Sequence, residues 1–259
     1  MPRFVLDIAY KGTAYSGWER QKNTDNTIQE IVERTLTLVL RTPTTAYGAG
    51  RTDAGVHAET LPAHFDYPGE LHSSFLIAMN SVLPADISVK RVLRAKRDNF
   101  HARYDATNRG YQYRMIFGKN PFLTDFSFEC RKRLDYDKLS GAAPVFFEYD
   151  SYETFCKARA TNKTFICKIT RSEWKQENGM WTYYVNADRF LRGMVRTMVG
   201  TMFLVAEGKM TNDDLRRALE AKDRRHAGMA VFAGGLFLTE VHYPEGELEE
   251  VVFQPDGKR

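Results

Sequence analysis

The segment GAGRTDAGVHA at 48–58 concentrates the groups best able to do chemistry. Gly48, Gly50 and Gly55 bracket an Arg51-Thr52-Asp53 triplet. Glycine lets a backbone turn tightly and approach a ligand closely, so this frame can hold a carboxylate and a guanidinium together in an exposed loop. A carboxylate so held serves as a nucleophile or a base. The plain alternative is a turn in which Asp53 bonds its own backbone and pairs with Arg51. Two common glycine motifs are excluded. Gly50-x-x-x-x-Gly55 runs into Val56-His57, where a phosphate-binding P-loop needs Lys followed by Ser or Thr. Gly48-x-Gly50 has Asp53 at the third glycine of a dinucleotide fingerprint. His57-Ala58-Glu59 matches the H-x-E of zinc nucleobase deaminases, which also need P-C-x-x-C. Cys130, Cys156 and Cys167 lie 26 and 11 residues apart and none follows a proline. No metal site is therefore expected, and His57 reads as a structural or RNA-facing side chain.

Two further places carry suitable groups. The apolar run FLRGMVRTMVGTMFLVA at 190–206 reads as one helix with Arg192 and Arg196 a turn apart. Its methionines at 194, 198 and 202 read as core filler. Arg196, between Val195 and Val199, needs a partner if buried. Asp53 is one candidate, and the alternative is an arginine lying along the helix surface. Tyr111 and Tyr113 share one face of a strand with Arg103, Arg109 and Arg114 around them. Such a pattern can stack bases and hold phosphates, although tyrosines are also ordinary strand residues.

The elements that must position these groups follow from periodicity. RFVLDIAY at 3–10 predicts a strand. TIQEIVERTLTLVLR predicts a helix, with Thr27 and Glu30 as a capping box and Ile28, Ile31, Val32, Thr35 and Val39 on its apolar face. Short strands are expected near 45–48 and at 62–67, a helix at 72–82 and a strand at 87–95. In the second half, 111–117 alternates with period two, 135–147 reads as a helix, and 165–174 and 180–186 form a hairpin about Asn178-Gly179. Helices over 190–206 and 211–221, the latter capped by Thr211, precede a last strand, GLFLTEVHY. The pattern predicts an α+β fold of two related mixed α/β halves sharing a largely antiparallel central sheet flanked by helices. The halves are expected at 1–102 and 103–245, followed by an acidic, polar tail at 246–259.

Composition narrows the class. The 259 residues are 43% hydrophobic and 27% charged, which excludes a disordered chain. No apolar run reaches membrane-spanning length, and MPRFVLDIAYKG lacks the pattern of a signal peptide. Few, scattered cysteines suit a reducing cytosol, so a cytoplasmic protein is expected. The formal charge is +4. Setting aside the segment from Pro244, with five acids and two bases, turns 37 bases and 33 acids into 35 and 28. A body of +7 suits an anionic partner such as RNA.

Several segments together resemble the tRNA pseudouridine synthase I family, its A class. GAGRTDAGVHA resembles the family's catalytic loop, YKGTAYSGWERQ its N-terminal strand and loop, and NSVLPADISV an inter-strand segment. FHARYDATNRGYQY resembles the stretch bearing its active-site tyrosine, and NPF at 120–122, FLRGMVRTMVG and AKDR are similar too. The likeness runs from about residue 10 to 243, in the family's order. It implies the pseudouridine synthase fold and isomerisation of uridine to pseudouridine at tRNA positions 38, 39 and 40 in the anticodon stem-loop. It also implies a homodimer, and neither metal nor nucleotide cofactor. By the same resemblance Asp53 is the catalytic residue, as nucleophile or base. Arg51 helps to flip the target nucleotide, Arg196 pairs with Asp53, Tyr111 packs on the flipped base and Leu236 lines its pocket. Arg109-Gly110 departs from the two arginines common before the tyrosine, and ATNKTFICKITR at 160–171 is atypical. A zinc deaminase and a non-catalytic RNA-binding protein are the rival readings, and retention of Asp53 argues against the second.

Overall fold

The structure is a computed structural model and describes residues 1–157 and 163–253. The strands are β1 (Arg3–Tyr10), β2 (Tyr47–Gly48), β3 (His57–Asp66), β4 (Ile87–Ala95), β5 (Asn108–Phe117), β6 (Phe128–Cys130), β7 (Ile169–Glu177), β8 (Met180–Ala187), β9 (Leu236–His242) and β10 (Leu248–Glu250). The helices are α1 (Ile28–Leu40), α2 (Phe75–Val82), α3 (Tyr136–Ala142), α4 (Met194–Ala206) and α5 (Asn212–Ala221). The fold is mixed α and β; β1 pairs antiparallel with β3 and β4, as do β10 with β4, β2 with β3, and β8 with β5 and β7, while β6 runs parallel to β5.

The chain divides into two compact units, Met1–Thr107 with Leu238–Arg259, and Asn108–Phe237. In the first unit the strand order is β10-β4-β1-β3, with β2 also on β3. Side chains alternate across a strand, and the two faces of this sheet have different fates. Phe65 stacks on Phe75 of α2 at 6.2 Å, so its face is covered by helix. His64 points to the opposite face, where Val5, Ala49, Leu93, Ala95, Phe100 and Ala102 form a separate buried cluster. The segment expected as a polar tail instead supplies β10, whose Glu249 lies opposite Arg94. Residues 254–259 of that expected tail lie outside the described residues.

Helix α1 starts where Thr27 accepts a hydrogen bond from the Glu30 amide at 3.3 Å. The Glu30 carboxylate meets Arg20 at 2.6 Å. Its buried face carries Ile28, Val32, Glu33, Thr35 and Leu36. The buried Glu33 carboxylate is held by Arg20, by Gln29 and by the Ala46 amide, which explains an acid on the apolar stripe.

The second unit has the antiparallel strands β5, β8 and β7 side by side in that order, with β8 in the middle, and helices packed against them. Asn178 and Gly179 both take positive φ, 51° and 76°, as a two-residue hairpin turn requires. The expected helix over 135–147 is α3 followed by a tighter turn over Ala143–Glu148. Pro144 lacks the N–H that would continue the α ladder. The helix expected over 190–206 begins only at Met194, because Gly193 sits at its N-cap with φ 72°. Arg192 therefore lies outside the helix, and the one-turn spacing of Arg192 and Arg196 on a common helix is corrected. All three cysteines are buried and none forms a disulfide.

Candidate active site

The expected site residues fall in both units. Arg51 and Asp53 stand in the first, and Tyr111, Arg196 and Leu236 in the second.

The Asp53 loop is made rigid by main-chain contacts with a distant strap, residues 11–18. The Asp53 carbonyl accepts from the Val56 amide at 3.1 Å, and Gly55 between them has φ 80°, the value a type II turn requires at its third position. The Trp18 amide donates to the Thr52 carbonyl at 3.2 Å, and the Gly55 amide to the Tyr15 carbonyl. Thr52 is buried, its hydroxyl 2.7 Å from that of Tyr10. The approach is so close that a Cβ on Gly17 would stand 2.5 Å from the Thr52 carbonyl oxygen, and one on Gly12 1.9 Å from that of Val56. Only glycine fits either place. His57 is buried and its Nδ1 accepts from the Gly12 amide at 3.1 Å, which settles the H-x-E histidine as a structural one. Asp53 itself is half-buried. Its neighbour Arg51 is exposed and meets Glu19 of the strap at 2.7 Å.

In the second unit Arg196 occupies the first turn of α4. Its Nε donates to the Val231 carbonyl at 2.7 Å, and the Val231 amide returns a bond to the Arg196 carbonyl at 3.2 Å. The helix tolerates a chain this close because Gly200 faces it. A Cβ there would lie 1.8 Å from the Met229 carbonyl oxygen. Arg196 is half-buried rather than lying open along the surface. Its charge is felt at Tyr113, whose buried hydroxyl is pushed well above the usual phenol range by burial while the arginine opposes the shift. That hydroxyl has no hydrogen-bond partner among the described residues. Tyr111, half-buried on β5, meets Phe190 edge-on at 5.1 Å. Leu236 is buried at the start of β9.

Two of the arginines flanking the tyrosines are held by neighbours within their own unit. Arg109 is buried and donates to the Asp188 carbonyl at 2.6 Å. Arg114 lies 4.0 Å over the Phe237 ring and bonds Gln112. Both are tied into their unit rather than presented together to solvent. Residues 160–162 of the atypical segment lie outside the described residues, and its remainder leads into β7. Sequence reasoning missed Glu19, Tyr10 and the Val231 carbonyl, which contact Arg51, Thr52 and Arg196 respectively from far along the chain. Only the run Gly17-Trp18-Glu19-Arg20, polar and aromatic beside a glycine, signalled the first of them.

A family model described as tRNA pseudouridine synthase matches residues 150–244. The chain is 44% identical over 246 residues to the tRNA pseudouridine synthase A of Bacteroides fragilis, covering 94% of this chain and 97% of that protein. It is 40% identical to the protein of that name from Parabacteroides distasonis, covering 95% and 97%. A third relative, from Caldicellulosiruptor bescii, is 36% identical over 94% of this chain and 100% of its own length.

Proposed function

The chain belongs to the tRNA pseudouridine synthase A family, and from that premise we propose that Asp53 is the carboxylate on which its chemistry turns. The protein is an isomerase that converts uridine to pseudouridine in tRNA. Its targets are uridines at one or more of positions 38, 39 and 40 of the anticodon stem-loop. The reaction breaks a carbon–nitrogen glycosidic bond, rotates the freed uracil and rejoins it through carbon. Every atom of the substrate is kept, so neither oxidant nor water is consumed. The step calls for a carboxylate able to act at the sugar or the ring and for a target base turned out of its stack.

The observation that carries this assignment is the frame of Asp53, a half-buried carboxylate on a loop fixed by its glycines and by the strap at 11–18. Arg51, exposed two residues earlier, enters the space left by the displaced nucleotide or holds its backbone. Arg196 is the cationic partner of the carboxylate, Tyr111 packs on the flipped base and Leu236 lines its pocket. The enzyme works as a cytoplasmic homodimer without metal or nucleotide cofactor. Three buried cysteines outside any disulfide support the reducing compartment, and no described helix is long and apolar enough to cross a membrane.

The test is Asp53→Asn, assayed by mass mapping of treated tRNA with a pseudouridine-specific reagent. Isomerisation should vanish, while tRNA binding stays within about tenfold because affinity comes chiefly from phosphate contacts elsewhere. Retention of a tenth of the wild-type rate would remove Asp53 from the reaction.

A further inference from the structure

On the sheet face of the first unit that α2 does not cover, aromatic rings form a connected group. Tyr47 lies opposite His64 in the β2–β3 register, and their rings stack at 5.1 Å with only 23° between planes. His64 meets His101 at 4.6 Å, and His101 meets Tyr104 at 4.4 Å. The two ends of the group are open: Tyr47 is 50% and Tyr104 75% exposed.

The middle is fixed. His64 is buried and its Nδ1 accepts from the Ala102 amide at 3.2 Å. His101 Nδ1 accepts from the Arg103 amide, and the His101 amide donates to Asp105, whose carboxylate also holds Arg97 at 2.9 Å. The rings are thus pre-oriented, and a flat ligand would cost them little side-chain freedom. Exposed Arg103 stands 5.9 Å from the Tyr104 ring centre and brings positive charge beside the aromatic surface. The platform also adjoins the catalytic loop. Tyr47 precedes Arg51 by four residues, and Ala49 between them is buried in one cluster with Phe100 and Ala102.

We propose that Tyr47, His101 and Tyr104, with Arg103, form a stacking subsite for an unpaired nucleobase of the RNA substrate, separate from the pocket that receives the target uracil. Aromatic rings bind every base through its π-face, and a neighbouring arginine adds attraction to the ring and to the phosphate. Single-stranded loop nucleotides, already unstacked, are the part of a folded RNA that such a surface takes. The inference rests on the reading of the protein as a tRNA-modifying enzyme.

Tyr47→Leu and Tyr104→Leu remove the ring and keep apolar bulk, whereas Tyr47→Phe and Tyr104→Phe keep the ring. Affinity for unmodified tRNA is measured by titration at several salt concentrations, alongside the single-turnover rate at saturating RNA and the thermal midpoint. The leucine variants should bind about tenfold more weakly, with an unchanged salt slope, a saturating rate within about twofold of wild type and an unchanged midpoint. The phenylalanine variants should bind like wild type. Unaltered affinity in both leucine variants overturns the subsite, as does equal loss in the leucine and phenylalanine variants. A lower thermal midpoint that accounts for the loss also overturns it. A wild-type protein that binds tRNA but forms no pseudouridine would sink the enzymatic reading instead, because the affinity comparison does not depend on turnover.

Discussion

At the scale of single residues, charge and burial decide what each group near the site can do. Arg51 and Glu19 are exposed partners, 56% and 47% open, so their bond adds little to stability. Its consequence lies in binding. Glu19→Gln removes a negative charge beside a loop that must meet phosphates, and should leave the unfolding free energy within about 0.5 kcal/mol of wild type. It should tighten tRNA binding a few-fold, most clearly at low salt. Equal affinity in a salt titration of both proteins would contradict this. His64 shows the opposite regime. Burial foremost, then the charges of His101 and Arg3, lowers its pKa to about 4, against an unfolded value near 6.5. Between these values the unfolded chain holds the extra proton, so stability falls as pH falls through that window. From pH 7 to 5 the loss attributable to this group is about 2 kcal/mol. Urea unfolding at both pH values should show that loss, and His64→Gln should flatten it. A slope unchanged in the variant would assign the effect elsewhere.

At the scale of elements, glycine decides whether two segments can touch. Gly200→Ala would drive a methyl group to 1.8 Å from the Met229 carbonyl oxygen, which neither backbone can absorb without moving. Because the neighbouring Val231 carbonyl anchors Arg196, this exposed-chain displacement should reach the site. We expect a destabilisation of about 1–3 kcal/mol and a clear drop in turnover. Gly141→Ala in α3, where a Cβ meets nothing within 4 Å, should instead stabilise by about 0.5–1 kcal/mol. Thermal unfolding of the pair tests the contrast, and the same sign for both would refute it. These elements also divide what was legible from what was not. Thr211, Asn178-Gly179 and the alternation at 111–117 announced a cap, a turn and a strand, because each signal is local in the chain. The early residues of the apolar run at 190–206 were misassigned because hydrophobicity looks the same in helix and in buried loop, and only the conformation of Gly193 separates them. Strand β10 escaped notice because a short edge strand carrying Glu249 and Glu250 reads as polar tail. The glycine-framed Asp53 could be read from sequence. Its strap and the Tyr47–His64 stack could not, since each joins residues far apart in sequence.

At the scale of the whole molecule, the two units differ in how the chain builds them. Asn108–Phe237 is one uninterrupted stretch, whereas the first unit needs both Met1–Thr107 and Leu238–Arg259. Tyr243 at the far end packs on Phe100 at 5.1 Å and donates its hydroxyl to the Ala102 carbonyl, and β10 covers the free edge of β4. On the ribosome the N-terminal strands emerge first, yet the residues that close their cluster emerge last. The middle stretch has all its own contacts available before the flanking unit does, and domains commonly fold as units during synthesis. The edge of β4 therefore waits unpaired while more than a hundred residues are added. That interval is when this chain is most exposed to strand-to-strand aggregation. The charges along β4, Lys90, Arg91 and Arg94, stand where they would discourage a wrong partner until the right one arrives.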